Sequence, residues 1–169
     1  PDLNVELTAA GEVVFMSPSG METGAQNAQV LLALGQWAKE NGTGVIFDSS
    51  TGFTLPNKAV RAPDAAWVRR DRLAALTPAQ RKRFAPLCPD FVVEAASPSA
   101  HLRDLQAKID EYMANGAQLG WLLVPATRTA IVYRPGAPVA TLENATSISG
   151  DPVLPGFSLN LGPVWEPEL

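Results

Sequence analysis

The chain has one cysteine and one histidine in 169 residues. Cys88 has no partner for an internal disulfide, and together with His101 it cannot supply the Cys and His sets of a structural zinc site. A serine or cysteine hydrolase would have to use His101 as its base, since a nucleophile needs a positioned proton acceptor, and the sequence marks no nucleophile beside it. Long apolar runs are missing too. Stretches such as Val30-Leu31-Leu32-Ala33-Leu34 fall far short of the roughly 20 residues that cross a bilayer, and no charged start followed by an apolar segment marks a signal peptide. These absences lead us to expect a soluble, cytoplasmic chain without a membrane partner. Pro1 stands in place of an initiator methionine, which points to a segment removed ahead of it. Excess positive charge is also lacking. A net charge of -4 argues against a protein that coats nucleic acid through a uniformly basic surface.

With 46% hydrophobic and 18% charged residues, the chain can bury a core, and its length and lack of repeats or linkers predict one domain over residues 1–169. Fifteen prolines and thirteen glycines cut it into short segments, against a helical bundle. Gly11 to Met16 reads as a strand entered from a turn. Ser19 and Glu22 have capping-box spacing, and Val30, Leu31, Leu34, Trp37 and Ala38 recur at helical spacing up to an Asn41-Gly42 stop. Short β signals follow at Val45-Ile46-Phe47, Phe53-Thr54-Leu55 and Pro63 to Val68, then a basic, weakly helical excursion over Arg69 to Leu87. Phe91-Val92-Val93 gives a buried strand running into Glu94-Ala95-Ala96. Leu102 to Asn115 is a second helix, with Leu102, Leu105, Ile109, Tyr112 and Met113 on one face, and Ser97-Pro98-Ser99 ends the strand before it and caps it. Two neighbouring strands, Trp121 to Pro125 and Thr129 to Tyr133, and a late one over Phe157 to Leu161 complete an α/β pattern with a mixed sheet.

Side chains alternate along a strand, so Asp90, Val92 and Glu94 share one side. An ionised carboxylate at the end of an apolar strand must be exposed at a rim, hydrogen-bonded, paired with a cation or bound to metal. Lys108 borders the apolar face of the second helix, one turn from Leu105 and from Tyr112, where it can reach back along the sheet. With Asp64 on a neighbouring strand, two carboxylates and one ammonium can converge on one cleft. Magnesium asks for such hard oxygen ligands with room for water and phosphate, and a lysine there steadies developing charge or helps ready the attacking water.

The run Pro89-Asp90-Phe91-Val92-Val93-Glu94-Ala95-Ala96-Ser97-Pro98-Ser99, then Lys108, Tyr112, Gly116 and Trp121-Leu122-Leu123-Val124-Pro125, resembles the Uma2 family (DUF820) of the PD-(D/E)XK nuclease-like superfamily. Arg61-Ala62-Pro63-Asp64 is similar to that family's first motif, and the likeness runs from about Gly11 to Trp165. The resemblance implies a restriction-endonuclease-like core, a mixed β-sheet flanked by helices. It implies Asp64 and Glu94 as ligands of Mg²⁺ or Mn²⁺, with the backbone carbonyl of Ala95 as a further ligand, and Lys108 as the catalytic lysine. The plain superfamily motif has its lysine two residues after the acid, where this chain has Ala96; the family is similar in placing it on the following helix. Asp90 lies about 13 Å from Glu94 by strand rise and is left out of the metal site. Where many relatives carry a histidine early in the first helix, this chain has Ala25-Gln26-Asn27. Glu22 near that helix start is read as a capping residue before a third carboxylate.

The function these readings point to is a metal-dependent endonuclease hydrolysing DNA phosphodiester bonds. The alternative is a catalytically silent nuclease-like fold that binds nucleic acid or protein, since fold alone does not establish activity. Eight of the thirteen Lys and Arg residues fall between Lys58 and Arg83, and this segment is the candidate DNA backbone contact. Related nucleases make a homodimer an expectation. Trp37, Trp67, Trp121 and Trp165 are read as core, His101 as solvent-facing and Cys88 as a small packed apolar group.

Overall fold

The computed structural model describes residues 5–169, so Pro1 lies outside the described residues. A hairpin comes first, β1 (Val5–Leu7) and β2 (Val13–Phe15), with Gly11 at φ 84° in the turn between them, a conformation glycine takes at little cost. Helix α1 (Met21–Asn41) ends at Gly42, whose left-handed backbone places its N–H on the Ala38 carbonyl. Its start differs from the expectation. Gly20 is the N-cap and no side chain caps it, so Ser19 and Glu22 form no capping box; the helix begins one residue too late for Ser19 to reach its free amides. Strands β3 (Gly44–Asp48), β4 (Phe53–Thr54), β5 (Val60–Arg61) and β6 (Ala65–Arg69) follow, then the helical turns α2 (Arg70–Ala74) and α3 (Pro78–Arg81) of the basic excursion. The order continues with β7 (Phe91–Ala95), α4 (Leu102–Ala114), β8 (Leu119–Val124), β9 (Thr129–Tyr133), β10 (Ala140–Glu143), β11 (Ser147–Ser149), β12 (Ser158–Asn160) and α5 (Gly162–Trp165). His101, not a serine of Ser97-Pro98-Ser99, is the N-cap of α4, and its side chain makes no cap bond.

Six strands form the main sheet in the order β10-β9-β8-β7-β6-β3. Only β7 and β8 run parallel, and α4 is the crossover that a parallel pair requires. A second sheet, β2-β1-β5-β4, stands beside it. The central strands are covered on both faces, which is why Phe91-Val92-Val93 and Trp121-Leu122-Leu123 are unbroken apolar runs. On one face Trp67, Phe91, Val93, Trp121 and Leu123 pack with Val30, Leu34 and Ala38 of α1 and with Val164 of α5. On the other, Ala66, Val68, Val92 and Leu122 meet Ile109 and Tyr112 of α4 together with Phe53 and Leu55. Glu94 shares the Val92 side of its strand, so it faces α4. No described helix is long and apolar enough to cross a membrane.

The tryptophans hold the first of these layers. Trp37 meets Trp67 edge-on at 5.7 Å between ring centroids, and Trp121 lies between Phe91 at 4.8 Å and Phe157 at 5.8 Å. Cys88 is buried, its thiol donating to the Tyr112 carbonyl at 3.4 Å, and burial pushes that thiol up to about 12. His101 is exposed.

Gly44 marks the tightest point of this packing. A Cβ there would lie 2.3 Å from the Trp67 ring and 2.5 Å from the Val68 carbonyl oxygen. Gly44→Ala is expected to cost about 1–3 kcal/mol through overpacking. Gly24→Ala, inside α1 with nothing within 4 Å, is expected to gain up to about 1 kcal/mol. Urea unfolding of the two variants should move in opposite directions.

Candidate active site

Asp64 precedes β6, whose register sets Ala65 across from Val93. Carried one residue further, that register puts Asp64 opposite Glu94 on the neighbouring strand, where directly facing side chains share one face. Here the β6–β7 ladder ends. The Ala95 amide, one residue beyond Glu94, donates to Asp64 Oδ2 at 2.8 Å. Within a strand the N–H and C=O of one residue point the same way, so the Ala95 carbonyl is turned to the Asp64 side as well.

Lys108 does not reach out into solvent; it is buried on α4, and its ammonium has three partners. Nζ lies 2.7 Å from Glu6 Oε1 and 2.8 Å from Glu94 Oε1, and donates to the Ala62 carbonyl at 3.2 Å. Glu6 comes from β1. Its Oε1 also accepts from the Ala62 amide at 2.9 Å, and its Oε2 pairs with Arg61 Nη1 at 3.1 Å. Arg61 in turn pairs through Nε with Glu111 of α4, which accepts from Asn57 Nδ2 at 2.9 Å. Tyr112, one turn beyond Lys108, points its hydroxyl at Glu94 Oε1 from 3.4 Å. A cavity of about 680 Å³ opens onto this group, bordered by Glu6, Asp64, Glu94, Ala95 and Lys108.

Burial sets the electrostatics. It raises Glu94 to about 8, with Asp64 adding to the rise and Lys108 opposing it. Burial raises Asp64 as well, against the Ala95 amide and Lys108. Lys108 loses from burial, yet Glu94 and Glu6 outweigh that loss and hold it above its ordinary value. Burial and the nearby carboxylates keep the Tyr112 hydroxyl protonated, as a donor. At full ionisation Asp64, Glu94, Glu6 and Glu111 bring four negative charges against two on Arg61 and Lys108. The deficit of two is what a dication supplies, and the donors are the hard oxygens it prefers. The groups that could hold one are the two carboxylates and the Ala95 carbonyl; no cluster of three or more acidic, His or Cys ligands occurs among the described residues.

Of the alternatives open for Glu94, rim exposure is excluded, because its residue is 3% exposed. Asp90 stands apart, accepting from the Arg69 amide and pairing with Arg72, each at 2.9 Å. Glu22 is exposed at the first turn of α1, away from the cleft. The basic run is not one stripe aimed outward. Arg61 belongs to the buried cluster, Arg69 and Arg72 pair with Asp71 and Asp90, and Arg70 and Arg81 bond backbone carbonyls. Sequence reasoning passed over Glu6. Val5-Glu6-Leu7 alternates with the acid inward and its apolar neighbours exposed, the reverse of the usual pattern, and only the following turn at Gly11 signals a hairpin.

Two measurements follow. Removing one member of a buried ion pair strands the other, so Glu6→Ala should cost about 3–5 kcal/mol in urea unfolding, and Glu6→Gln, which keeps an acceptor for the Ala62 amide, should cost less. Glu94 holds its proton from its ordinary value near 4.5 up to about 8. Over that window the folded state binds more protons than the unfolded one, so this residue's contribution to stability falls as pH rises. In EDTA, melting temperatures between pH 5 and 8.5 should fall more steeply for the wild type than for Glu94→Gln.

Comparison with known proteins agrees with this architecture. A crystal structure described as that of a "putative nuclease belonging to DUF820" from Anabaena variabilis ATCC 29413 superposes with a TM-score of 0.81 at 16% identity, covering 95% of this chain and 89% of that one. It shares the fold. No curated protein matches the sequence. A family model, Uma2, described as "Putative restriction endonuclease", matches residues 1–162. Nearly the whole chain is spanned by that match, and the protein belongs to the Uma2 family.

Proposed function

We propose that the protein is a metal-dependent endonuclease that hydrolyses DNA phosphodiester bonds, with Mg²⁺ or Mn²⁺ held by Asp64, Glu94 and the Ala95 carbonyl. One observation carries the reading: Asp64 ahead of β6, Glu94 of β7 and Lys108 of α4 border one cavity, with the lysine ammonium 2.8 Å from Glu94. When bound, the dication supplies Lewis acidity toward a phosphate oxygen and makes a water more acidic.

The chain's own groups do the rest. Lys108 is held as an ammonium and so acts as a donor and positive charge, not as a base. An ammonium has three N–H bonds, and Glu6, Glu94 and Ala62 take all three. The longest, to the Ala62 carbonyl, is the one a phosphate oxygen displaces at least cost, which places positive charge where negative charge grows in the transition state. Glu6, 2.7 Å away, keeps that ammonium in place. The Ala95 amide fixes Asp64, and Tyr112 supports Glu94. Lys58, Lys82 and Arg83, the members of the basic run outside both the ion pairs and the carbonyl bonds above, are the candidates for meeting the DNA backbone, which positions a duplex without reading its sequence.

Purified protein should cleave DNA with Mg²⁺ or Mn²⁺ and not with EDTA. Asp64→Ala, Glu94→Ala and Lys108→Ala should each lower the rate by about two to three orders of magnitude, compared at a temperature where circular dichroism shows each variant folded. Cleavage that survives all three changes would overturn the assignment. Folded wild type that binds DNA tightly and cuts none under either metal would mark a binding module instead.

A further inference from the structure

Beside the cavity just described lies a second, of about 480 Å³. The two share Glu6, Asp64 and the Met16-Ser17 segment as walls, so a chain lying across Asp64 enters both. The second cavity has a different chemistry. Asp48, Glu6 and Asp64 line it, no lysine or arginine does, and Phe84 and Leu31 supply apolar surface. Serine hydroxyls and Asn27 line it as well, but the charged groups a phosphate would meet there are all carboxylates. A planar, uncharged group that donates hydrogen bonds would meet acceptors and an aromatic ring.

Phe84 is an unusual core-type residue, being 58% exposed, and its place is fixed from behind. Thr54 of β4 donates through Oγ1 to the Phe84 carbonyl at 3.0 Å and through its amide to the Ala85 carbonyl at 2.9 Å. Its ring lies against Gly52, where an added Cβ would stand 2.7 Å from Phe84 Cδ1. A bare backbone at that position is what lets the ring settle. Arg81, Lys82 and Arg83 come directly before it in the chain. Asp48 is also prearranged: its Oδ1 accepts from the Ser50 amide at 3.1 Å and the Ser50 hydroxyl at 2.6 Å, and that hydroxyl leads in holding it below its ordinary value, so it stays an acceptor.

We propose that this second cavity receives an unpaired nucleobase next to the scissile phosphate, stacked on Phe84 and donating its exocyclic amine to Asp48. The proposal rests on the nuclease reading and deepens it. Adenine, cytosine and guanine carry such an amine and thymine does not. Stacking of a base on an aromatic side chain is worth about 1–3 kcal/mol and tolerates any base, whereas the carboxylate discriminates.

Anisotropy of fluorescein-labelled single-stranded oligo(dA), oligo(dC) and oligo(dT) tests this, with full-length protein, Mg²⁺ and phosphorothioate linkages that resist cleavage. Wild type should bind oligo(dA) and oligo(dC) more tightly than oligo(dT). Phe84→Ala should weaken binding of all three by about 5- to 150-fold at an unchanged melting temperature, and Phe84→Trp should retain it. Asp48→Ala should remove the preference over oligo(dT). Should Phe84→Ala fail to fold, Phe84→Trp and Asp48→Ala still decide the matter. Cleavage by wild type with Phe84→Ala binding within twofold of it, or a preference that Asp48→Ala leaves intact, would sink the base pocket and leave the nuclease standing. A wild type that neither binds nor cleaves would sink both.

Discussion

A buried ammonium must be met by anions, and that demand organises this end of the molecule. Lys108 lies between Glu6 and Glu94 with its third proton on the Ala62 carbonyl. Without those partners its charge would be driven off or turned to solvent. With them, β1, β7, α4 and the peptide before β6 are tied to one atom. The excess of carboxylates over cations follows from the same arrangement, because Glu6 and Glu94 between them face one lysine while Asp64, opposite Glu94, forms no ion pair among the described residues.

The sheet delivers these groups through ordinary strand geometry. β7 buries Phe91, Val92 and Val93 and then places an acid on the Val92 side, toward the helix that crosses from β7 to β8. A lysine two residues after Glu94 would emerge from the same face of the same strand. Lys108 reaches Glu94 from α4 instead, its ammonium 2.8 Å from Oε1. Asp64 reaches it because β6 and β7 are antiparallel neighbours whose ladder stops just short of the two acids. The stop frees the Ala95 amide to hold Asp64 rather than another backbone group.

Much of this was legible in the residues. The apolar run before Glu94, the periodic helix carrying Lys108 at the edge of its buried face, and the Asn41-Gly42 and Asn115-Gly116 helix ends are local signals, and local physics places them. The less legible parts are long-range. Ser19 and Glu22 have the spacing of a capping box and do not form one, whereas Thr77 and Gln80 form it fully; where a helix begins depends on what it docks against. Arg61 reads as one more charge in a basic run until Glu6 and Glu111 are seen on either side of it. Glu6 itself obeys an alternation whose polarity is reversed, and no periodicity argument assigns such a residue to the interior.

That reversal makes the first hairpin an inside-out element. Val5, Leu7, Val13 and Phe15 face water while the acid goes inward, so the arm is fastened by an electrostatic latch and not by an oily seam. Ion pairs buried this deeply are screened little by salt, so the arm answers to the charge of Glu6 and its partners and not to ionic strength. Loss of the charge on Glu6 would therefore release the arm while the close-packed main sheet keeps its shape.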